Sequence, residues 1–133
     1  MAKGYDINQE RVAALTSFGK ELARRAKSRC ELCGAAGVKL SIFEVPPVPK
    51  EPNVSRCLFL CDDCREQADS PKRFKGGEHW RFLTQSLWSE LPAAQVLAVR
   101  LLRRQADAQD WAREALEEAW LDPAIEEWAG QEK

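Results

Sequence analysis

Cys30-Glu31-Leu32-Cys33 and Cys61-Asp62-Asp63-Cys64 decide how this chain folds: they are two C-x-x-C pairs with residues 34–60 between them. Two such pairs supply four thiolates, the number that closes a tetrahedral shell around a structural zinc ion. With two residues between the cysteines, both sulfurs of a pair can face one ion at about 2.3 Å. The intervening segment has room for a hairpin that brings the second pair back to the first. Reduced thiols or a disulfide pair are the plainer alternatives. The opening residues, Met1-Ala2-Lys3-Gly4-Tyr5-Asp6, lack the apolar run of a secretion signal. The expected compartment is therefore the reducing cytoplasm, where disulfides do not persist. A thioredoxin-like role needs one C-x-x-C beside a βαβ pattern, and none is visible. The expected cofactor is one zinc ion per chain, on Cys30, Cys33, Cys61 and Cys64, with iron the other metal that tetrahedral sulfur holds.

The fifth cysteine, Cys57, lies in Arg56-Cys57-Leu58-Phe59-Leu60, a short strand running into Cys61. Four strand steps put it about 13 Å from Cys61, too far to share an ion without a sharp bend. It reads as a small buried apolar residue. His79, the single histidine, is the other candidate ligand, but four cysteines already complete the shell.

Outward from the cysteines, the chain reads as three segments packed as one unit. Residues 1–29 hold a basic amphipathic helix from about Asn8 to Arg29, with Val12, Leu15, Phe18 or Gly19, Leu22 and Ala26 at three- and four-residue steps. Arg24, Arg25, Lys27 and Arg29 sit in its last turns, where positive charge suits a helix C-terminus. They are the candidate contacts to nucleic acid, and equally a solvated face beside a thiolate cluster. Residues 30–75 are the metal module. Gly34 and Gly37 bracket a turn, Val38–Val45 is a strand, and Pro46, Pro47, Pro49 and Pro52 force an extended loop. Arg56–Leu60 returns the chain to the second pair, and Cys64–Ala68 starts a short helix whose N-terminal dipole favours the thiolates of Cys61 and Cys64. Arg29, Arg56 and Arg65 are candidate electrostatic partners of the metal-thiolate charge. The order of knuckle, two strands and helix-borne knuckle describes an α+β fold with a treble-clef or zinc-ribbon-like hairpin module.

Residues 76–133 read as helical from about Glu78 to Gly130. Trp80, Leu83 and Leu87 share a face; Pro92 starts a helix with a wide stripe of Val96, Leu97, Val99, Leu101 and Leu102. Trp111, Ala115, Leu116 and Ala119 mark another face, and Asp122-Pro123 is a cap-and-N1 signal for a last helix ending near Trp128. All five tryptophans, 80, 88, 111, 120 and 128, fall here. A tryptophan stripe at helical spacing serves as core, or as an interface for a protein partner or a second copy.

The whole chain is 133 residues, 44% hydrophobic and 31% charged, which is a globular balance. No apolar run approaches the ~20 residues of a membrane span. Twenty basic against 21 acidic residues give a formal charge of −1, unlike a dedicated nucleic-acid binder. The charge is polarised, with residues 1–29 net basic and residues 90–133 net acidic.

Cys30–Gly34, Leu40-Ser41-Ile42-Phe43-Glu44-Val45-Pro46-Pro47, Cys57–Cys64, His79-Trp80-Arg81-Phe82-Leu83 and Ser86–Val96 together resemble the PhnA-like proteins, bacterial proteins named after an alkylphosphonate-uptake operon. The likeness covers most of residues 10–129. It implies Cys30, Cys33, Cys61 and Cys64 as zinc ligands and says little about biochemistry. Many relatives carry a C-terminal small β-barrel module; this sequence ends at Lys133 after helical sequence, and the expectation is that the module is missing.

Three classes of function follow. The first is a non-enzymatic zinc module whose helices dock a partner or another copy, because a closed thiolate shell leaves no position for substrate. The second is a nucleic-acid-binding regulator using the Arg24–Arg29 patch. The third is a degenerate nuclease of the HNH kind, which shares the layout of a C-x-x-C, a strand, a loop and a second C-x-x-C. That chemistry needs a histidine base on the first strand, where this chain reads Phe43-Glu44-Val45-Pro46-Pro47. No catalytic residue is assigned. Gly76-Gly77 alone is a weak phosphate-loop signal.

Overall fold

A two-stranded hairpin joins the cysteine pairs. In the computed structural model, which describes residues 2–69 and 77–131, Leu40–Glu44 (β1) pairs antiparallel with Cys57–Cys61 (β2). The register sets Leu40 opposite Cys61 and Glu44 opposite Cys57. Between the strands runs the proline-rich loop, which closes in a 3₁₀ turn at Val54–Arg56. There the Asn53 side chain accepts the Ser55 amide, satisfying a donor that the turn leaves open. The first strand is shorter than the Val38–Val45 expected from composition, and Arg56 belongs to the turn rather than to β2.

The helices are Ala2–Ser17 (α1), Gly19–Ala26 (α2), Asp62–Asp69 (α3), Leu83–Ser86 (α4), Pro92–Gln105 (α5), Asp110–Glu118 (α6) and Pro123–Gly130 (α7), with a 3₁₀ turn at Glu78–Trp80. The fold is thus α+β. No described helix is long and apolar enough to cross a membrane. Residues 70–75, read as the end of the metal module, and Gly76 of the Gly76-Gly77 pair lie outside the described residues.

Two readings of the N-terminal segment need correction. The single helix is two, broken at Phe18. Thr16 and Ser17 turn their hydroxyls back onto the carbonyls of Val12 and Ala14, which loosens the ladder just ahead of Gly19. The second helix stops at Ala26, not Arg29: Lys27 and Ser28 both take left-handed backbone angles as the chain reverses into the first knuckle. Arg29 therefore lies outside the helix, pairing through its backbone with Ala36.

The core centres on α5. Leu91 is extended, Pro92 sits at the first helical position, and Leu97, Leu101 and Leu102 are buried with Val96 and Val99. Burial runs round nearly the whole helix, because α4, α6, α7 and β2 all lean on it. Leu58 and Leu60 carry the hairpin into the same core, together with Phe43 and Val45. Trp80, Leu83 and Leu87 join them as their shared face implies. Of the remaining tryptophans, Trp111 and Trp128 pack against this core, while Trp88 and Trp120 stand 62% and 78% exposed.

A buried charge closes the far end. Arg100, only 3% exposed in the middle of α5, donates to the carbonyl oxygens of Trp128 (2.6 Å), Gln131 (2.9 Å) and Ala129 (3.1 Å). These carbonyls end α7, where a helix has no internal donors left and its dipole is negative. Trp128 in turn donates its indole N–H to the Pro46 carbonyl, and Arg56 lies 4.6 Å over its ring. The last helix thus clamps the loop between the strands. Replacing Arg100 with alanine should lower stability by about 3 kcal/mol in urea unfolding, since charge-assisted bonds are lost and buried carbonyls are left open. Arg100→Lys should recover little of it, because an ammonium lacks the planar fork.

Candidate metal centre

The first cysteine pair sits on a tight knuckle. The Cys30 amide donates to Ala35, the Gly34 amide donates to Cys30, and Gly34 takes a φ of 79°, which a residue without Cβ adopts at no cost. The second pair straddles a strand end and a helix start: Cys61 closes β2, and Cys64 is in the first turn of α3. Hairpin pairing draws the two together. The four sulfurs of Cys30, Cys33, Cys61 and Cys64 lie within 4.8 Å of one another, with Cys33 and Cys61 Sγ 3.7 Å apart. No disulfide joins any of the cysteines.

This spacing fits a metal ion. Tetrahedral bonds of about 2.3 Å to sulfur require sulfurs about 3.8 Å apart, far beyond a disulfide and close to what Cys33 and Cys61 show. The donor set is sulfur alone, which suits zinc or iron and not hard cations. The Cys33 amide also points at Cys30 Sγ, 3.5 Å away, the kind of N–H contact that holds a ligating sulfur in place.

Charge around the sulfurs is uneven. The Cys30 thiol is pulled down to about 4, chiefly by the hydrogen bond from Cys64, with backbone amides helping and burial opposing. Cys33 is pushed up to about 11, mainly by burial. Cys64 is pushed up further, first by its hydrogen bond to Cys30 and then by burial. The Cys30 thiolate is favoured while Cys33 and Cys64 keep protons, because anions this close repel in a poorly solvated site.

Glu31, between the first two cysteines, fastens the knuckle. Its side chain is 3% exposed and accepts Arg25 Nε at 2.7 Å, Arg25 Nη2 at 2.8 Å and the Phe59 amide at 2.7 Å. Its own amide donates to the Phe59 carbonyl, and Arg25 also donates to the Cys57 carbonyl at 2.9 Å. Helix α2, the knuckle and β2 are thereby locked at one point. The Arg25 guanidinium is pushed above its ordinary value, first by the hydrogen bond to Glu31, against the effect of burial. On the other side Ser86 of α4 donates to the Leu32 carbonyl, seating the knuckle on the helical region.

The remaining sequence candidates lie outside the four-sulfur group. Cys57 is fully buried, and its thiol donates to the Asn53 carbonyl at 3.4 Å, outside the four-sulfur group. His79 is exposed and stacks edge-on against Trp80, in a cleft beside the cysteines. Arg56 lies over the Trp128 ring and donates to the Pro47 carbonyl, and Arg65 donates to the Ser41 hydroxyl. Of the candidate nucleic-acid contacts, Arg24, Lys27 and Arg29 are exposed, while Arg25 is committed to Glu31. Glu31 and Ser86 were not singled out from the sequence; a lone acid between two candidate ligands, preceded by an arginine cluster, was the available signal. Compared with known proteins, the chain has no significant match to a family model, a curated protein or a solved structure.

Cys30→Ser and Cys64→Ser should each abolish metal binding and unfold the hairpin module, read by elemental analysis and circular dichroism. Cys57→Ser and His79→Ala should keep one metal ion per chain, and loss of metal in either would overturn the ligand assignment. Arg25→Ala strands a buried carboxylate and should cost about 3 kcal/mol in chemical denaturation, whereas removing Glu31 as well should restore part of it. Metal binding must also expel the protons on Cys33 and Cys64. Between about 4, where Cys30 ionises, and about 11, where Cys33 does, affinity should therefore rise with pH. The expected slope is at least about 100-fold per pH unit, measurable by competition with a chromophoric chelator.

Proposed function

We propose that this chain is a non-enzymatic zinc-binding protein in which one zinc ion, held by Cys30, Cys33, Cys61 and Cys64, fixes the fold. The carrying observation is the group of four cysteine sulfurs within 4.8 Å of one another, joined by no histidine or carboxylate among the described residues. Such a shell is full, so the ion acts as a structural cross-link and not as a Lewis acid. The succession of knuckle, hairpin and helix carrying the last ligand supports a treble-clef type of module. The residue pattern of the PhnA-like proteins, from Cys30-Glu31-Leu32-Cys33 to Ser86–Val96, supports membership in that group. Unbridged cysteines favour a reducing, cytoplasmic setting.

The working surface in this reading is helical and docks a protein partner or a second copy. Trp88 and Trp120 support it: large aromatic side chains left in water are enriched at the centres of interfaces. The nucleic-acid alternative keeps Arg24, Lys27 and Arg29 as exposed cations but loses the Arg25 fork to Glu31. It demands an affinity that falls steeply with salt.

Native mass spectrometry of the protein taken directly from cells tests both halves. One zinc ion per chain, in a complex containing a second polypeptide, is the expected spectrum. A metal-free chain overturns the zinc assignment, and a lone zinc-loaded chain overturns the docking role.

A further inference from the structure

We propose that the cleft beside the four sulfurs is a binding site for a small organic ammonium ion carrying a single ring. The cleft measures about 450 Å³, within the range of ligand-sized pockets. Val38, Trp80 and Phe82 form apolar walls, and the Trp80 and Phe82 rings stand 5.4 Å apart, tilted by 45°. Cys33, Cys61 and Cys64 also line it. A ring is recognised by such walls through burial and aromatic contact.

The sign of the charge chooses the ligand. Among the described residues, Asp62 and Asp63, both exposed at the start of α3, line the cleft with Lys39 and His79. Four thiolates around a dication add two net negative charges, a contribution that rests on the zinc reading. An anion is repelled by this field, and a neutral ring gains only from burial. A cation gains from both. Among the described residues the lining carries two carboxylates, Asp62 and Asp63, against Lys39 and His79, so the preference for a cation comes from the carboxylates together with the metal-thiolate charge.

The test uses the full chain, with its zinc content measured separately by elemental analysis. 2-Phenylethylammonium, 2-phenylethanol and 3-phenylpropionate are titrated while backbone amide and indole NMR signals are followed. The ammonium should give saturable shifts at Val38, Lys39, Asp63 and Phe82 and at the Trp80 indole. The alcohol should bind about tenfold more weakly and the carboxylate not at all. Asp62→Asn with Asp63→Asn should weaken the ammonium alone, by about tenfold, while Lys39→Glu should tighten it. Equal affinity for ammonium and alcohol, shifts outside the cleft, or indifference to both sets of substitutions would overturn the proposal. Zinc content decides the metal reading, and the ranking of the three probes decides the cleft, so each can fail alone.

Discussion

Four cysteine sulfurs crowd within 4.8 Å of one another, and the fold is arranged to keep them there. Such a group cannot carry four negative charges unaided: the Cys30 thiolate helps to hold protons on Cys33 and Cys64. A dication removes that conflict by replacing the protons with bonds. The apparent free energy of structural zinc in small modules, roughly 10–16 kcal/mol at neutral pH, matches or exceeds the net stability of an ordinary domain, roughly 5–15 kcal/mol. The described sheet is a two-stranded hairpin, and an isolated hairpin is marginal in water, so a metal ion bound to the four sulfurs would add stability where the module has least of its own.

Three polar devices hold the knuckle in register for the ion. Glu31 ties it to β2 and, through Arg25, to α2, and Ser86 ties it to α4. The same logic recurs at the other end of the molecule, where Arg100 gathers the carbonyls that finish α7. In both places a buried charge is met by several partners, Arg25 and the Phe59 amide at Glu31 and three carbonyls at Arg100. The apolar core between them, centred on α5, joins the metal module and the helical region into one packed unit.

Much of this was legible in the residues. Cysteine spacing picks out the four sulfurs that gather, and Cys57 lies outside that group. The stripe from Val96 to Leu102 locates the central helix, and Asp122-Pro123 marks the start of α7, where the aspartate accepts the Ala124 amide. What stayed hidden shares one cause. Periodicity reports which face of an element is buried, but not which distant atom meets a charged side chain. Arg25 reads as one more cation in a basic run until Glu31 and the Cys57 carbonyl are brought to it. Arg100 reads as a polar interruption of an apolar stripe until α7 ends against it. The break at Phe18 escaped because apolar spacing continues across it while two hydroxyls bond back to the preceding turn.

The central claim is that sulfur alone holds one metal ion in this protein. X-ray absorption at the zinc edge, on protein purified without added metal, tests it most directly. The account predicts a single shell of four sulfurs at about 2.3 Å, with no lighter neighbour. A nitrogen or oxygen atom in that shell, or no zinc to measure, would contradict it.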